Sequence, residues 1–294
     1  MSQEIELKLA LTPEGPEALS RHPLLASLDK QTQLVSNTYY DTPSADLEKA
    51  RVALRVRQVA GRYLQTLKTA GHGGGGLSQR GEWEWEVPGP QLDLTRLATL
   101  PSMQALTELD LTSLQPRLAT DFTRRRWEVR HGQGRASLVE VVVDEGEIRA
   151  GSDSVPIREA ELELKLGTAE DLWSLAFALA ERVALRPSDS SKAARGNLLL
   201  RQEWPLPEAS RPEELFHRAC LALDGYQDTS RTELLTQATQ AFLQLAQHPG
   251  LPVEQQRQAN ILIESLHHDP HLPPAFGQAA LRLAHYLSIE TELG

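Results

Sequence analysis

The sequence contains short runs in which charged and apolar residues alternate, and the first of these lies near residue 4. Glu4, Glu6 and Lys8 are separated from one another by single apolar residues. Side chains two positions apart point to the same side of a β-strand, so an extended run would gather two carboxylates and an ammonium on one face. Carboxylate oxygens are the ligands that hard divalent cations prefer, and a neighbouring ammonium would attract an anion.

Five further runs alternate in the same way, and in each of them one face collects charge of mostly one kind. These charged positions are Arg51, Arg55 and Arg57; Glu82, Glu84 and Glu86; Arg124, Arg126 and Glu128; Glu140 and Asp144; and Glu161, Glu163 and Lys165. For any single strand, a charged face turned to water on a β-sandwich would be an ordinary explanation. Six such strands favour a different fold, because their opposite faces carry Trp, Leu and Val that must also be covered.

A closed antiparallel barrel satisfies both requirements. Its charged faces would line a water-filled tunnel, while its apolar faces would pack under helices. Helical patterns over 13–28, 95–109 and 169–184 could supply that cover. We therefore predict an α+β fold, with an eight-stranded antiparallel β-barrel and flanking helices.

The chain changes character after a proline-rich stretch. Residues 205–212 contain three prolines and predict a linker. Beyond it, helical patterns over 212–223, 232–248, 253–268 and 274–287 predict a small all-α module. The expected division is a tunnel domain over 1–204, the linker over 205–212 and the helical module over 213–294.

Composition excludes several classes of protein. The single cysteine, Cys220, rules out an intramolecular disulfide or a thiolate zinc site. We expect no membrane segment, because no run of 18 apolar residues occurs. The first residues lack the apolar core of a signal peptide, so the expected location is the cytoplasm. A net charge of −10 argues against a nucleic-acid partner.

The chemistry of such a tunnel follows from its mixture of charges. Carboxylates held close together cannot all remain ionised without a cation between them, and they would bind a hard metal ion. Arginines and lysines in the same space would bind a polyanion, with arginine forming forked hydrogen bonds to phosphate oxygens. A metal facing a phosphate is suited to hydrolytic phosphoryl transfer. A phosphate-ester or phosphoanhydride enzyme is the leading hypothesis from the residues alone.

Several segments, in matching order, resemble the CYTH domain of the triphosphate tunnel metalloenzymes. Residues 4–8 resemble its ExExK signature, and Leu54-Arg-Val-Arg57 resembles its RxR strand. The other segments are Tyr39-Tyr-Asp-Thr-Pro43, Gln65-Thr-Leu-Lys68, Arg80-Gly-Glu-Trp-Glu84, Asp121-Phe-Thr-Arg124, Val143-Asp-Glu-Gly146, 157–165 and 188–196. The resemblance covers roughly residues 2 to 202, and it implies a tunnel that binds triphosphate-bearing substrates with Mg²⁺ or Mn²⁺.

The resemblance also implies a role for each matching residue. The metal-side carboxylates would be Glu4, Glu6, Asp144, Glu161 and Glu163. The groups that bind the phosphates would be Lys8, Arg55, Arg57, Lys68, Arg124, Arg126, Lys192 and Arg195. Catalytic roles would fall to Lys8, Glu82, Glu84 and Lys192.

The implied activity is metal-dependent hydrolysis of inorganic triphosphate to pyrophosphate and phosphate. Alternatives are a thiamine- or nucleoside-triphosphatase, a class IV adenylate cyclase, or a non-catalytic polyphosphate-binding module. The helical module resembles the CHAD domain of some bacterial relatives only in position, because residues 208–294 carry a net charge of −6 and no lysine. We expect it to pack against the barrel or against a second subunit of a homodimer.

Three points remain open at this stage. Strand parity turns Arg124 and Arg126 inward, but a β-bulge would exchange them with Arg125. Arg195 could face the tunnel beside Lys192, or it could pair with a nearby carboxylate. The glycine-rich segment 72–76 predicts a flexible hairpin tip.

Overall fold

A computed structural model describes residues 2–106, 108–132, 136–268 and 272–293. The strands are β1 (Ser2–Leu11), β2 (Gln31–Asp41), β3 (Ala53–Val59), β4 (Arg62–Lys68), β5 (Leu77–Val87), β6 (Gln115–His131), β7 (Ser137–Ala150), β8 (Asp153–Leu166) and β9 (Leu185–Pro187). The helices are α1 (Gly15–Ser20), α2 (Pro23–Ala26), α3 (Asp46–Lys49), α4 (Leu94–Leu97), α5 (Pro101–Gln104), α6 (Ala169–Ala180), α7 (Lys192–Arg201), α8 (Pro212–Thr229), α9 (Thr232–Ala246), α10 (Val253–His268) and α11 (Pro274–Leu293), with a 3₁₀ turn at Leu111–Ser113.

Strands β1 to β8 form a closed antiparallel barrel. Their order is β5-β4-β3-β2-β6-β7-β8-β1, and β1 pairs with β5 to close the sheet, while the short β9 adds to the end of β1. The predicted α+β architecture, with an eight-stranded barrel and helices around it, is confirmed. Strand β1 shows why the barrel forms. Leu7 and Leu9 are fully buried on its outer face, and the charged Lys8 between them turns inward to the cavity.

Two of the predicted helices are broken into short pieces. The pattern over 13–28 forms α1 and α2, and the pattern over 95–109 includes α4 and α5. Pro23 and Pro101 each begin a new helix, because proline suits the first helical turn but not a helix interior. The third pattern forms α6, which opens with a capping box between Thr168 and Asp171. Within the described residues, no helix combines the length and apolarity needed to cross a lipid bilayer.

The C-terminal helices pack directly on the barrel. Four helices form where they were predicted, and α8 continues to Thr229, six residues beyond the predicted end. One hydrophobic cluster contains Leu9 of the barrel, Trp173 of α6, and Phe216 and Phe276 of the C-terminal helices. Residues 205–211 connect the two parts without regular structure. The boundary near 204 therefore marks a change of secondary structure, and the two sides share one core.

The glycine-rich loop joins β4 to β5, as the hairpin prediction requires, but its second half is held against β1 by a hydrogen bond and by close packing. The N–H of Lys8 donates to the carbonyl of Gly76 (2.9 Å). Gly76 has a positive φ of +87°, and a Cβ built there would lie 2.6 Å from the carbonyl oxygen of Lys8. Only glycine allows this close approach.

Helix α11 touches the barrel most closely at Gly277, which provides a test of the shared core. A Cβ at this position would lie 2.0 Å from the carbonyl oxygen of Leu185 in β9. We expect Gly277→Ala to lower the free energy of unfolding by about 1–3 kcal/mol, as overpacking does. Urea unfolding followed by circular dichroism measures this, and helix and strand signals should be lost in one transition.

Gly74→Ala is the matched control, since no atom lies within 4 Å of a Cβ built there. Its effect should stay within about 0.5 kcal/mol. Equal stability of the two variants would contradict the close packing of α11 on β9.

Candidate functional site

The barrel encloses a polar cavity of about 700 Å³. Residues from all eight barrel strands line it, together with residues 188, 189 and 191–194 and one residue of α8, His217. Thirteen of the side chains predicted to be functional line this cavity. They are Glu4, Glu6, Lys8, Arg55, Arg57, Lys68, Glu82, Glu84, Arg124, Arg126, Glu161, Glu163 and Lys192. Parity predicts the direction of these side chains correctly, whereas Glu86 and Glu128, on the same charged faces, are exposed and do not line the cavity.

The three consecutive arginines of β6 follow the predicted parity. Arg124 and Arg126 line the cavity. Arg125 points to the outside of the barrel, where it donates to Glu145 (2.5 Å) and to the carbonyl of Pro16 (3.0 Å). No register shift interrupts β6 beside these residues, so the inward pair is not exchanged.

One group of carboxylates lies at the start of β1. Glu4 accepts hydrogen bonds from Lys68 Nζ (2.8 Å) and Arg80 Nε (3.1 Å), and Arg80 also pairs with Glu6. Burial opposes ionisation of Glu4, but Lys68 and Arg80 outweigh it and lower its pKa to about 2. Glu163 lies directly opposite Glu6 in the register of β1 and β8, and burial raises its pKa. An added cation would stabilise these like charges.

A second group is more deeply buried and surrounds Lys192. Asp144, Glu159 and Glu161 each offer an oxygen within 4.8 Å of the others. The ammonium of Lys192 lies 2.7 Å from Asp144 and 3.3 Å from Glu161, and it also pairs with Glu159. Arg124 forms a forked pair with Asp144 at 2.8 and 2.7 Å. Asp144 itself is fully buried behind these cations and does not line the cavity.

The donor set of these two groups fits a divalent metal. All the predicted ligands are carboxylates, and carboxylate oxygens suit Mg²⁺ or Mn²⁺. The burial of Glu163 raises its pKa, while Arg124 and Lys192, despite burial, hold the pKa of Asp144 below its usual range. Within the second group a metal would compete with the Lys192 ammonium for the same oxygens. Glu4, Glu6 and Glu163 line the cavity, whereas Asp144 and Glu159 do not, so the first group is the more accessible one.

On β3, across the cavity from the carboxylates of β8, two arginines lack carboxylate partners among the described residues. Among the residues that the structure describes, no carboxylate lies within 4.0 Å of the guanidinium nitrogens of Arg55 or Arg57. Arg55 Nη1 donates weakly to the Tyr39 hydroxyl (3.4 Å), and its buried Nε has no partner. Arg57 Nε donates to Asn37 (3.1 Å). Buried donors without acceptors are costly, so this wall is suited to an anion.

The pKa of Arg57 reports the same imbalance of charge. Burial, followed by repulsion from Arg55 and Arg124, lowers it to about 9. The guanidinium is still charged at neutral pH, but its charge is poorly compensated. An anion placed between Arg55 and Arg57 would supply the missing compensation.

Arg195 is predicted to bind phosphate, but its side chain points away from the cavity. It lies on α7, one turn after Lys192, but it does not line the cavity. Its guanidinium forms a forked pair with Asp228 of α8 at 2.9 and 2.5 Å and donates to the carbonyl of Pro156 (2.6 Å). Of the two alternatives left open, pairing with a carboxylate is the one that the structure supports. The partner, Asp228, comes from a helix that the sequence placed in a separate module.

Sequence reasoning assigned no role to two charged groups of the site. Arg80 holds Glu4 and Glu6 together, and Glu159 binds Lys192. A signal for both existed: Arg80 has the parity of Glu82, and Glu159 continues the alternation of Glu161 toward the start of β8. In contrast, nothing in the local sequence indicated that His217 of α8 would reach the cavity.

The sequence of this chain is similar to those of known proteins. Residues 2–196 match the CYTH domain. An inorganic triphosphatase from Haemophilus influenzae is 38% identical over 203 residues, which are 68% of this chain and 55% of that relative. The chain thus spans little more than half the length of the relative.

Two solved structures are similar to this chain at lower identity. A protein from Hippeastrum with a dominant triphosphatase activity is 23% identical, with a TM-score of 0.49 over 69% of this chain and 98% of that one. A protein from Pyrococcus horikoshii is 19% identical, with a TM-score of 0.41 over 68% of this chain and 99% of that one.

The contrast between paired and unpaired arginines predicts opposite effects on stability. Arg57→Met should leave the free energy of unfolding unchanged or raise it by about 1 kcal/mol, because it replaces a half-buried charge that is poorly compensated. Arg124→Met should lower it by about 3 kcal/mol, since Asp144 loses its forked partner in a fully buried position. Urea unfolding of both variants in anion-free buffer measures the difference. Equal destabilisation by the two substitutions would contradict this account of the charges.

Proposed function

The chain belongs to the CYTH domain family, and from that membership we propose that it hydrolyses inorganic triphosphate to pyrophosphate and phosphate inside the barrel. The observation that carries the proposal is the pair Arg55 and Arg57, one buried and one half-buried, which line the cavity and have no carboxylate partner among the residues that the structure describes. A wall of this kind, opposite a cluster of carboxylates, favours a polyanion held next to a cation site. The similar triphosphatase from Haemophilus influenzae supports the same substrate class.

In the proposed complex the two walls have different tasks. The phosphoryl oxygens would be held by Arg55, Arg57, Arg124 and Arg126. Lys68 would bind them next to the carboxylates. Mg²⁺ or Mn²⁺, held by carboxylates among Glu4, Glu6, Asp144, Glu161 and Glu163, would polarise a phosphoryl oxygen and neutralise charge as it develops. Lys8 lies opposite Glu161 in the register of β1 and β8, and so it would face the reacting phosphate from the metal side.

Hydrolysis also requires that a water be oriented and deprotonated. The oxygen of water would bond to the terminal phosphorus as the bridging P–O bond breaks and pyrophosphate leaves. Glu82 is suited to accept the proton, because burial raises its pKa toward the working range. Glu84 is fixed by the hydroxyl of Thr66, which donates to it at 2.9 Å. Lys192 would stabilise the charge of the departing oxygens.

The composition of the cavity favours an inorganic substrate. About half of the side chains that line it are charged, and glycines 71, 73, 74 and 76 contribute backbone at one end. A nucleotide or thiamine group would need an apolar or aromatic surface beside the phosphate site. Phosphate release from tripolyphosphate, ATP and thiamine triphosphate, each with Mg²⁺ or Mn²⁺, tests this choice. Turnover of tripolyphosphate should exceed turnover of the other two, and no turnover of any would favour a non-catalytic polyphosphate-binding protein.

Glu163 provides a test of the metal site with little risk to the fold. Burial raises its pKa, so a neutral replacement removes a charge that the folded state does not favour. We expect Glu163→Gln to lower metal-dependent turnover by about 10²-fold and to leave the melting temperature unchanged. Titration of Mg²⁺ at fixed tripolyphosphate should also show a higher half-saturating concentration. Unchanged turnover at every metal concentration would remove Glu163 from the site.

Lys8 and Arg57 should affect different kinetic constants. Lys8→Met should lower kcat by about 10²-fold, because it removes a charge beside the reacting phosphate. Arg57→Met should act mainly on KM, since it removes a contact already made with the bound substrate. Lys49→Met is the control, as that lysine lies on the exposed surface. If Lys8→Met keeps kcat and only raises KM, Lys8 belongs with the groups that bind substrate.

A further inference from the structure

A buried aspartate of helix α8 makes a dense set of contacts with the segment that follows β9. Asp224 is 5% exposed. It accepts hydrogen bonds from Arg186 Nη1 (2.6 Å), the hydroxyl of Ser188 (3.0 Å), and the N–H groups of Asp189 (3.1 Å) and Ser190 (3.0 Å). Both of its oxygens are therefore engaged, and three of the four donors belong to consecutive residues of one loop.

This loop, residues 188–191, is in direct contact with Lys8. The carbonyl of Ser190 accepts a hydrogen bond from Lys8 Nζ (3.2 Å), and the N–H of Ser188 donates to the carbonyl of Lys8 (3.1 Å). Ser191 then caps α7 by accepting from the N–H of Ala194, and Lys192 is the first residue of that helix. The loop held by Asp224 thus contacts Lys8 and leads directly into Lys192, two of the lysines of the proposed site.

The same loop connects α8 to the glycine-rich hairpin. Asp189 accepts hydrogen bonds from the N–H groups of Gly75 (3.4 Å) and Gly76 (2.7 Å) and pairs with His217 Nδ1 (2.7 Å). Asp224 and His217 are both on α8, so this helix holds the loop at two points. One end of the cavity is consequently assembled from the barrel, the hairpin and the C-terminal helices together.

The stability of the fold does not by itself explain why a charged residue occupies position 224. Aspartate is a poor residue for a helix interior, and burying an ion pair costs desolvation that apolar packing would avoid. The geometry supplies a different reason, because a carboxylate is the acceptor that can hold one arginine, one hydroxyl and two N–H groups at once.

We propose that Asp224 is a positioning residue for catalysis: through the 188–191 loop it sets the place of the Lys8 ammonium in the cavity. The proposal rests on the proposed function and extends it, because it gives the C-terminal helices a role in the activity of the tunnel. It also explains why α8 continues beyond the predicted end, since the extra residues carry Asp224 and Asp228. A shift of about 1 Å in a group that contacts the reacting phosphate can cost about 10²-fold in rate.

A double-mutant cycle in the full chain tests whether Asp224 acts through Lys8. Asp224→Asn should lower kcat for tripolyphosphate by about 10-fold or more and leave KM within about three-fold. In the Lys8→Met background the same substitution should lower kcat by less than about three-fold, because the group that it positions is already gone. Equal fold losses in the two backgrounds would overturn the proposal.

Loss of stability is controlled by a second variant of the helical region. Phe242 of α9 is 1% exposed and packs against Phe216 and Phe276. Phe242→Leu should lower the melting temperature but not kcat, when all variants are assayed well below their melting temperatures. A kcat loss in Phe242→Leu as large as in Asp224→Asn would show that Asp224 contributes stability only, and would refute its positioning role.

A readout without turnover separates this proposal from the proposed function. The chain has six lysines, so protein labelled with ¹³C,¹⁵N-lysine gives a simple side-chain NMR spectrum. Asp224→Asn should shift the Lys8 Nζ signal and speed its proton exchange, whereas Phe242→Leu should not. If the unmodified protein hydrolyses no triphosphate, the proposed function fails, and the Lys8 signal still tests the link to Asp224. An unchanged Lys8 signal in Asp224→Asn would refute that link.

Discussion

The burial of many charges inside a closed barrel is the constraint on which the rest of the structure depends. A charge removed from water must be compensated by an opposite charge or by hydrogen bonds, or the folded state loses stability. Most of the cavity satisfies this rule internally: Lys192 and Arg124 neutralise Asp144, and Lys68 and Arg80 neutralise Glu4. The positions where compensation is incomplete are therefore the informative ones, because they identify what the cavity is built to receive.

Closure of the barrel creates that constraint. The pairing of β1 with β5 brings the first glutamates against Arg80, and the pairing of β1 with β8 brings Lys8 beside Glu161. In an open sheet each of these faces would be in water, where like charges tolerate each other at little cost. Inside the barrel they interact strongly. Two positions on opposite walls of the cavity are less completely compensated: Glu163 of β8, whose pKa is raised by burial, and Arg57 of β3, whose pKa is lowered by burial and by neighbouring arginines.

The C-terminal helices take part in the same network of charges. Arg195 would be a buried cation near Glu159 with too few acceptors, and Asp228 of α8 supplies them. Arg186 is similarly compensated by Asp224. Apolar packing adds to these contacts, since the barrel and the helices share one hydrophobic cluster. A segment with acidic composition and no lysine is thus well matched to the buried arginines that β9 and α7 carry beside the barrel.

The sequence by itself determined which side chains face the cavity, because strand alternation is a local property with a period of two. It identified the inward parity of Arg124 and Arg126, the runs of Glu and Arg, and the helices after residue 212. Tertiary structure alone decided which charges pair. Nothing local distinguishes Arg57, which has no carboxylate partner in the part of the chain that the structure describes, from Arg124, which has two. Likewise Lys192 and Arg195 lie one turn apart on α7, and only the position of Asp228, 33 residues further along, turns Arg195 away from the cavity. Pairing depends on distances between residues remote in the chain, and those distances exist only once the barrel has closed and α8 has packed against it.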